Sequence, residues 1–298
     1  MKSWDDMRIF LATARGESLS AAGRQLRMDP ATVGRRIARL EEDFGTPLFA
    51  KSPQGYALTE AGTRLMSHAE EAEQAMQAAS ETVAGRTEGL SGQIRIGAPD
   101  GCANYLLPQV CGRICEANPD LEVQIVALPR VVNLSKREAD MAITVSPPSA
   151  GRLTVQKICD YRLHLAASRP YLRSRPGISS LADIAGHPLV GYIPDMIFDK
   201  ELDYLDALGV ERVKLASNSA SVQVRWVASG SGIGILHDFA LPAAGARMVR
   251  LLTEEISLVR SFYLVRHADD RRLERLNRFA VALLSGMREE VQRLEGLA

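Results

Sequence analysis

Residues 18–40 read SLSAAGRQLRMDPATVGRRIARL, and two short helices lie in that run. Ser18 or Ser20 suits the cap of the first, which covers Ala21 to Leu26 and turns Ala22 and Leu26 inward. Arg27 and Met28 make a brief connection. Asp29-Pro30 then opens the second helix, because an aspartate accepts the free N–H groups of a first turn and proline suits the first helical position. At about 100° per residue, Val33, Ile37 and Leu40 fall on one side and Arg35 almost opposite them. Ala31, Thr32 and Arg39 share the outward half, and Arg36 flanks it. Such a face, small at its start and cationic further along, suits a DNA major groove. Small residues permit close approach, and arginine reaches guanine edges or phosphates.

The flanking sequence fits this pair of helices. Upstream, Met7, Phe10, Leu11 and Ala14 recur at three and four, one helix face that Gly16 ends. Downstream, Phe44 to Phe49 and Lys51 to Thr59 hold two short apolar stretches around a Pro/Gly turn, which reads as a hairpin. Beside such helices a hairpin is a wing, and Lys51 and Gln54 near its tip are placed to touch the sugar-phosphate backbone. The chain as a whole carries 36 basic and 36 acidic residues. Between Arg8 and Leu40, however, seven arginines face only Glu17 and Asp29, a local balance of +5. Attraction to phosphate depends on where charge sits, so the neutral total does not exclude a nucleic acid.

Positions 4 to 62 resemble the DNA-binding segment of LysR-type transcriptional regulators. The resemblance is carried by Ser18 to Ala22, Pro30 to Glu41, Phe44-Gly45, Leu48-Phe49, Gly55 and Leu58 to Gly62. It implies a winged helix-turn-helix over residues 1–62 that binds double-stranded DNA. The contact set is then Ser20, Asp29, Ala31, Thr32, Arg35, Arg36, Arg39, Lys51 and Gln54. Gly34 stands where the family usually has serine, and Lys51 and Gln54 where it usually has arginine.

Beyond the hairpin, Leu65, Ala69, Ala72, Met76, Ala79 and Val83 recur at four, three, four, three, four, with no proline or glycine between Thr63 and Ala84. That is a heptad seam, and its alanines let two helices approach closely. The segment from Glu60 to Glu88 holds six acids and two arginines, which does not suit a helix lying along DNA. Residues 63–89 are therefore expected to pair two subunits, as the family's linker helix does. A single helix packed on its own domain is the other reading. Gly85 to Gly92 breaks the helix.

From residue 90 to 298, apolar runs alternate with helical segments. Strands are expected at 93–97, 121–127, 141–145 and 162–167, with a helix at 106–117, which reads as a parallel α/β sheet. The likeness extends here through Leu106-Leu107-Pro108, Glu138 to Ile143 and Val227 to Leu236, and implies an effector-binding domain resembling periplasmic solute-binding proteins. Such a domain has two lobes, here 90–161 with 265–298 and 162–264, crossed near Asp160–Arg162 and Phe262–Val265. Ligands bind where strands end, which marks Asp100, Gly101, Cys102, Thr144, Ser146, Tyr192, Asn218 and Ser219. The likeness implies a small-molecule effector and a homodimer or homotetramer. A carboxylate at Asp100 repels an anion and favours an amine.

Other chemistry finds little support. The five histidines show no metal-ligand spacing, and Gly230 to Gly234 matches neither a phosphate loop nor a nucleophile elbow, so no catalytic residue, metal or cofactor is expected. The amino-terminal six residues carry two acids and lack a signal-peptide core, and no apolar run approaches the roughly 18 residues of a membrane span, so a cytoplasmic protein is expected. Cys102, Cys111, Cys115 and Cys159 form no CxxC pair. Two alternatives stay open: a thiol-based redox sensor on the same fold, and an α/β enzyme with an appended DNA-binding module.

Overall fold

The computed structural model describes residues 3–52, 55–83, 89–127, 139–149, 151–197, 199–204, 210, 212–245 and 247–298, without the side chains of 74, 77, 78, 80–83, 269 and 272. Gln54, the side chain of Val83 and the expected helix break at 84–88 lie outside the described residues. The chain forms two compact units, Met1–Thr87 with Asp269–Glu274, and Glu88–Ala268 with Arg275–Ala298.

In the first unit, α1 (Trp4–Gly16), α2 (Leu19–Leu26) and α3 (Pro30–Phe44) precede β1 (Phe49–Ser52), β2 (Gly55–Leu58) and the long α4 (Glu60–Val83). Phe10, Leu11, Ala22, Val33, Ile37, Leu40, Leu48 and Phe49 form one buried cluster. Ser18, rather than Ser20, caps α2 by accepting the Ala21 N–H. Asp29 caps α3, its carboxylate accepting the N–H groups of Ala31 at 2.9 Å and Thr32 at 3.3 Å. α1 ends at Gly16, as expected, and the left-handed turn that follows is taken by Glu17 (φ 49°) rather than by the glycine. Gly16 provides room instead, since a Cβ there would lie 2.9 Å from Ala21 Cβ. Between α2 and α3 the Met28 N–H reaches the Gly23 carbonyl at 2.8 Å. A Cβ on Gly23 would lie 2.6 Å from the Met28 oxygen, so the turn between the two helices requires glycine.

The second unit is built on a nine-stranded sheet whose main path runs β4-β3-β5-β11-β6-β9-β7-β8, with β10 also paired to β6. One half holds β3 (Gly92–Ala98), β4 (Leu121–Ala127) and β5 (Met141–Thr144), with α5 (Asp100–Tyr105) and α6 (Leu107–Glu116) after β3. The other holds β7 (Leu189–Gly191), β8 (Leu215–Ala216), β9 (Ile233–His237) and β10 (Met248–Leu251), with α7 (Arg169–Arg173) and α8 (Ala220–Ala228). Two long strands run through both: β6 (Leu153–Ser168) and β11 (Ser257–His267) pair antiparallel from Ser257–His164 to His267–Leu153. Within each half the outer pairs are parallel, whereas every pair made by β6 or β11 is antiparallel. The parallel sheet expected from the sequence is thus a mixed one, because β6 leaves one half and β11 returns beside it in the opposite direction. The expected lobe limits at 161/162 and 264/265 fall inside these continuous strands, and β11 already pairs with β5 from Tyr263. The register shifts between Phe262 and Tyr263, close to the expected crossing.

The last helix, α9 (Glu274–Glu295), does not stay with one half. Arg275 donates to the Gln93 carbonyl near its start, while near its end Glu295 accepts the Arg162 N–H at 2.7 Å and the Ala298 carbonyl accepts from Arg250. Replacing Gly23 by alanine is expected to destabilise the first unit by about 1–3 kcal/mol through overpacking. Gly112→Ala, in α6 with open space around it, is expected to be neutral or stabilising. Thermal denaturation of both variants checks this; equal melting of the two contradicts it.

Candidate DNA-reading face and effector cleft

On α3 the side chains divide into two groups that the sequence did not separate. Ala31, Arg35 and Arg39 are exposed and Thr32 half-buried, as is the neighbourhood of exposed Ser20 on α2. Arg35 donates to the Thr32 hydroxyl at 3.0 Å, which holds it along the outer face. Arg36 turns the other way and pairs with Asp6, a buried acid of α1. Its charge ties α3 to α1, which sets it apart from the exposed Arg35 and Arg39. Asp29, exposed at the start of α3, has its carboxylate engaged by two N–H groups of that helix. Lys51 lies on the wing, with its Nζ 3.8 Å from Glu41 and 6.0 Å from the Tyr56 ring centre. Glu41 also accepts the N–H groups of Leu48 and Phe49, so one acid both anchors the hairpin and faces its lysine.

Arg15, counted in the basic excess, is likewise internal. Its guanidinium meets Glu73 at 2.6 and 3.1 Å and lies 3.6 Å from Glu70, tying α1 to α4. On α4 the seam splits. Leu65 and Ala69 pack into the core of their own unit, so these two positions are not available to a partner helix. A 24-residue helix is about 36 Å long and the 13-residue α1 about 20 Å, so the seam outruns its cover. Ala72, Met76 and Ala79 on that remainder are exposed.

In the second unit, Asp100, Gly101, Cys102, Tyr192 and Asn218 line one small cavity of about 20 Å³. Three other expected residues do not. The Thr144 hydroxyl donates to the Ser146 carbonyl at 2.7 Å, the Ser146 hydroxyl to Asp199, and the Ser219 hydroxyl to Asp100 at 3.1 Å. They shape the walls from behind: two of these bonds link a residue following a strand of the first half to a residue of the second. The sequence reading missed Val145, Tyr161, Leu202, His237 and Phe262 on the lining. Tyr161 and Phe262 sit at the two strand crossings that the sequence did mark, but as hinges. A residue placed where the chain crosses between lobes also floors the cleft between them. Their rings stack at 4.2 Å, and His237 and Phe239 pack against Tyr161 at 5.6 Å each.

Burial sets the protonation of this site. His237 is pushed down to about 4 by desolvation, only partly opposed by the Asp100 charge. It is neutral at pH 7 and supplies no cation. Burial pushes the Cys102 thiol well up, Cys111 up to about 12 and Cys159 up to about 11, so these three stay protonated and are poor nucleophiles near neutrality. Among the described residues no group of three or more His, Cys, Asp or Glu is placed to hold a metal. No helix there is long and apolar enough to cross a membrane.

Comparison with known proteins finds two matching families along the chain. Residues 4–63 match the sequence profile of the bacterial regulatory helix-turn-helix protein, lysR family, and residues 87–288 that of the LysR substrate binding domain. The chain is 26% identical to the transcriptional regulator CrgA of Neisseria meningitidis over 259 residues, covering 85% of this chain and 86% of that one. It is 27% identical to the transcriptional activator TtdR of Escherichia coli over 270 residues, 85% of each. A full-length OxyR variant from Pseudomonas aeruginosa shares the fold with a TM-score of 0.69 at 18% identity, over 97% of this chain and 98% of that one.

The depressed His237 value has a consequence for stability. Its folded value lies below the ordinary 6.5, so the unfolded chain takes up a proton first as pH falls. The stability that neutral His237 contributes is complete above pH 6.5 and is lost between 6.5 and about 4, at up to about 1.4 kcal/mol per unit. Urea denaturation at pH 7, 6 and 5 is expected to show a steeper loss for the wild type than for His237→Phe. Parallel losses contradict the assignment.

Proposed function

The chain belongs to the LysR family of bacterial transcriptional regulators, and we propose that its α3 reads DNA while the cleft behind Asp100 senses a small molecule. It is a DNA-binding regulator by family; the assignment of residues to roles is our reading. The observation that carries it is the sorting of arginines on one helix: Arg35 and Arg39 exposed beside Ala31 and Thr32, Arg36 bound inside. Arg35 reads a base edge, Arg39 and Lys51 meet phosphate, and Asp29 and Arg36 hold α3 in place. Exposed Arg24 and Arg27 add to the same positive field.

We read the exposed remainder of α4 as the helix that pairs two subunits, giving a dimer or higher homo-oligomer that meets two half-sites. An effector in the cleft favours one lobe geometry, and the shift between geometries alters how the paired units meet DNA. The chain acts in the cytoplasm and by binding, not by turnover. The protonated thiols of Cys102, Cys111 and Cys159 favour a ligand sensor over a switch at these three cysteines.

Arg35→Ala is expected to weaken operator binding by about 1–3 kcal/mol and relax preference at one base position without loss of fold. Arg36→Ala is expected to lower thermal stability first, because it leaves the buried Asp6 unpaired. Binding titrations against operator variants, with melting curves, separate the two; a reversal of the two phenotypes contradicts the sorting. Met76→Glu is expected to weaken self-association and binding to a two-half-site operator together, by placing a charge in the pairing seam. Sedimentation at matched concentrations checks it, and undiminished association shows that α4 pairs through another face.

A further inference from the structure

The start of α8 is already occupied by an acid from the opposite half of the same unit. One Asp100 oxygen accepts the Ser221 N–H at 2.9 Å, the Ser221 hydroxyl at 3.0 Å and the Ser219 hydroxyl at 3.1 Å. Its other oxygen accepts from Asn104 at 3.1 Å. The next free amide of α8, that of Val222, is capped by the Ser219 hydroxyl at 3.3 Å. A helix N-terminus with converging hydroxyls is the arrangement that holds a ligand's carboxylate or phosphate. Here its donors are spent on a side chain.

Among the described residues on its lining, the cavity beside this contact has no lysine or arginine, and Asp100 is the charged one. His237 is neutral near pH 7. The walls are otherwise apolar or aromatic, with Phe262 stacked on Tyr161. An independent feature points to an occupant: the Tyr161 hydroxyl is buried without a hydrogen-bond partner, although the residue lines the cavity and is only 1% exposed. The Tyr204 hydroxyl is in the same condition in an adjoining pocket that shares Tyr192 and Leu202. Buried hydroxyls of this kind are satisfied by a ligand or a water.

We propose that Asp100 supplies from within the chain the carboxylate that fills the α8 N-terminus, and that the cleft takes a small uncharged molecule with an aromatic or aliphatic body and an oxygen acceptor for Tyr161. This rests on reading the cleft as the effector site. A carboxylate ligand meets a like charge and finds no free donor at α8. An amine finds the Asp100 oxygens already engaged by four donors.

Three probes of one shape and different charge test this on the full-length protein: benzamide, benzoate and benzylamine, titrated by ligand-observed NMR. In the wild type benzamide is expected to bind at least about tenfold more tightly than benzoate or benzylamine, and Tyr161→Phe to weaken benzamide alone. In Asp100→Ser, which releases the Ser219 and Ser221 donors, benzoate is expected to gain about tenfold or more. Benzoate or benzylamine as the preferred wild-type ligand, or no gain of benzoate in Asp100→Ser, overturns the proposal while leaving the cleft as a ligand site. Absence of saturable binding by all three probes to both proteins overturns the cleft reading itself. If Asp100→Ser does not fold, Asp100→Asn replaces it, and the wild-type order of the probes is decisive by itself.

Discussion

The second unit depends on one pairing, that of β6 with β11. Both parallel portions of the sheet attach to this antiparallel pair, one through β5 on β11 and the other through β9 and β10 on β6. The pair therefore has to be continuous enough to join the halves and irregular enough to bend. The register shift between Phe262 and Tyr263 supplies the irregularity, and the stacked rings of Tyr161 and Phe262 lie beside it. Ligand contact and lobe geometry thus meet at the same residues. In the proposed reading, a molecule bound here would touch the two strands that join the halves, so ligand contact and lobe geometry would be coupled directly. Asp100 accepts from Ser219 and Ser221 and Ser146 donates to Asp199, so these bonds, with α9 along both halves, hold the halves together.

In the first unit the organising effect is the division of like charges between inside and outside. Arg15, Arg35, Arg36 and Arg39 look equivalent in a count. Arg15 is nevertheless held by Glu70 and Glu73 and Arg36 by Asp6, whereas Arg35 and Arg39 stay at the surface. The internal pairs are mostly shielded from water, where breaking a pair costs far more than at the surface. They orient α3 and α4 on α1, so the exposed arginines are presented on a rigid helix.

Helix periodicity exposed the first unit's core, the cap at Asp29 and the outward face of α3, because each is a local property of spacing. The partner of Arg36 was not legible, since Asp6 lies thirty residues away and only the packed fold brings the two together. For the same reason the alanine seam read as one continuous surface, although α1 covers Leu65 and Ala69 and ends before Met76. In the second unit, strand ends correctly drew attention to Asp100, Gly101, Cys102, Tyr192 and Asn218. The same rule misplaced Thr144, whose hydroxyl folds back onto the Ser146 carbonyl. It also passed over Tyr161 and His237, buried aromatics that a periodicity reading assigns to the core. Strand β6 was read only at 162–167 because its first half carries polar residues and lacks the apolar run that marked the second.

We propose that lobe geometry in the second unit governs DNA binding by the first. Measuring operator affinity and footprint for full-length wild type and Asp100→Ala, with no ligand added, tests it most directly. Residue 100 belongs to the second unit, and its loss removes the bonds to Ser219 and Ser221. The account predicts a changed affinity or footprint with an intact fold and undiminished self-association. Identical affinity and footprint, in a variant whose lobes are shown by small-angle scattering to have opened, would contradict it.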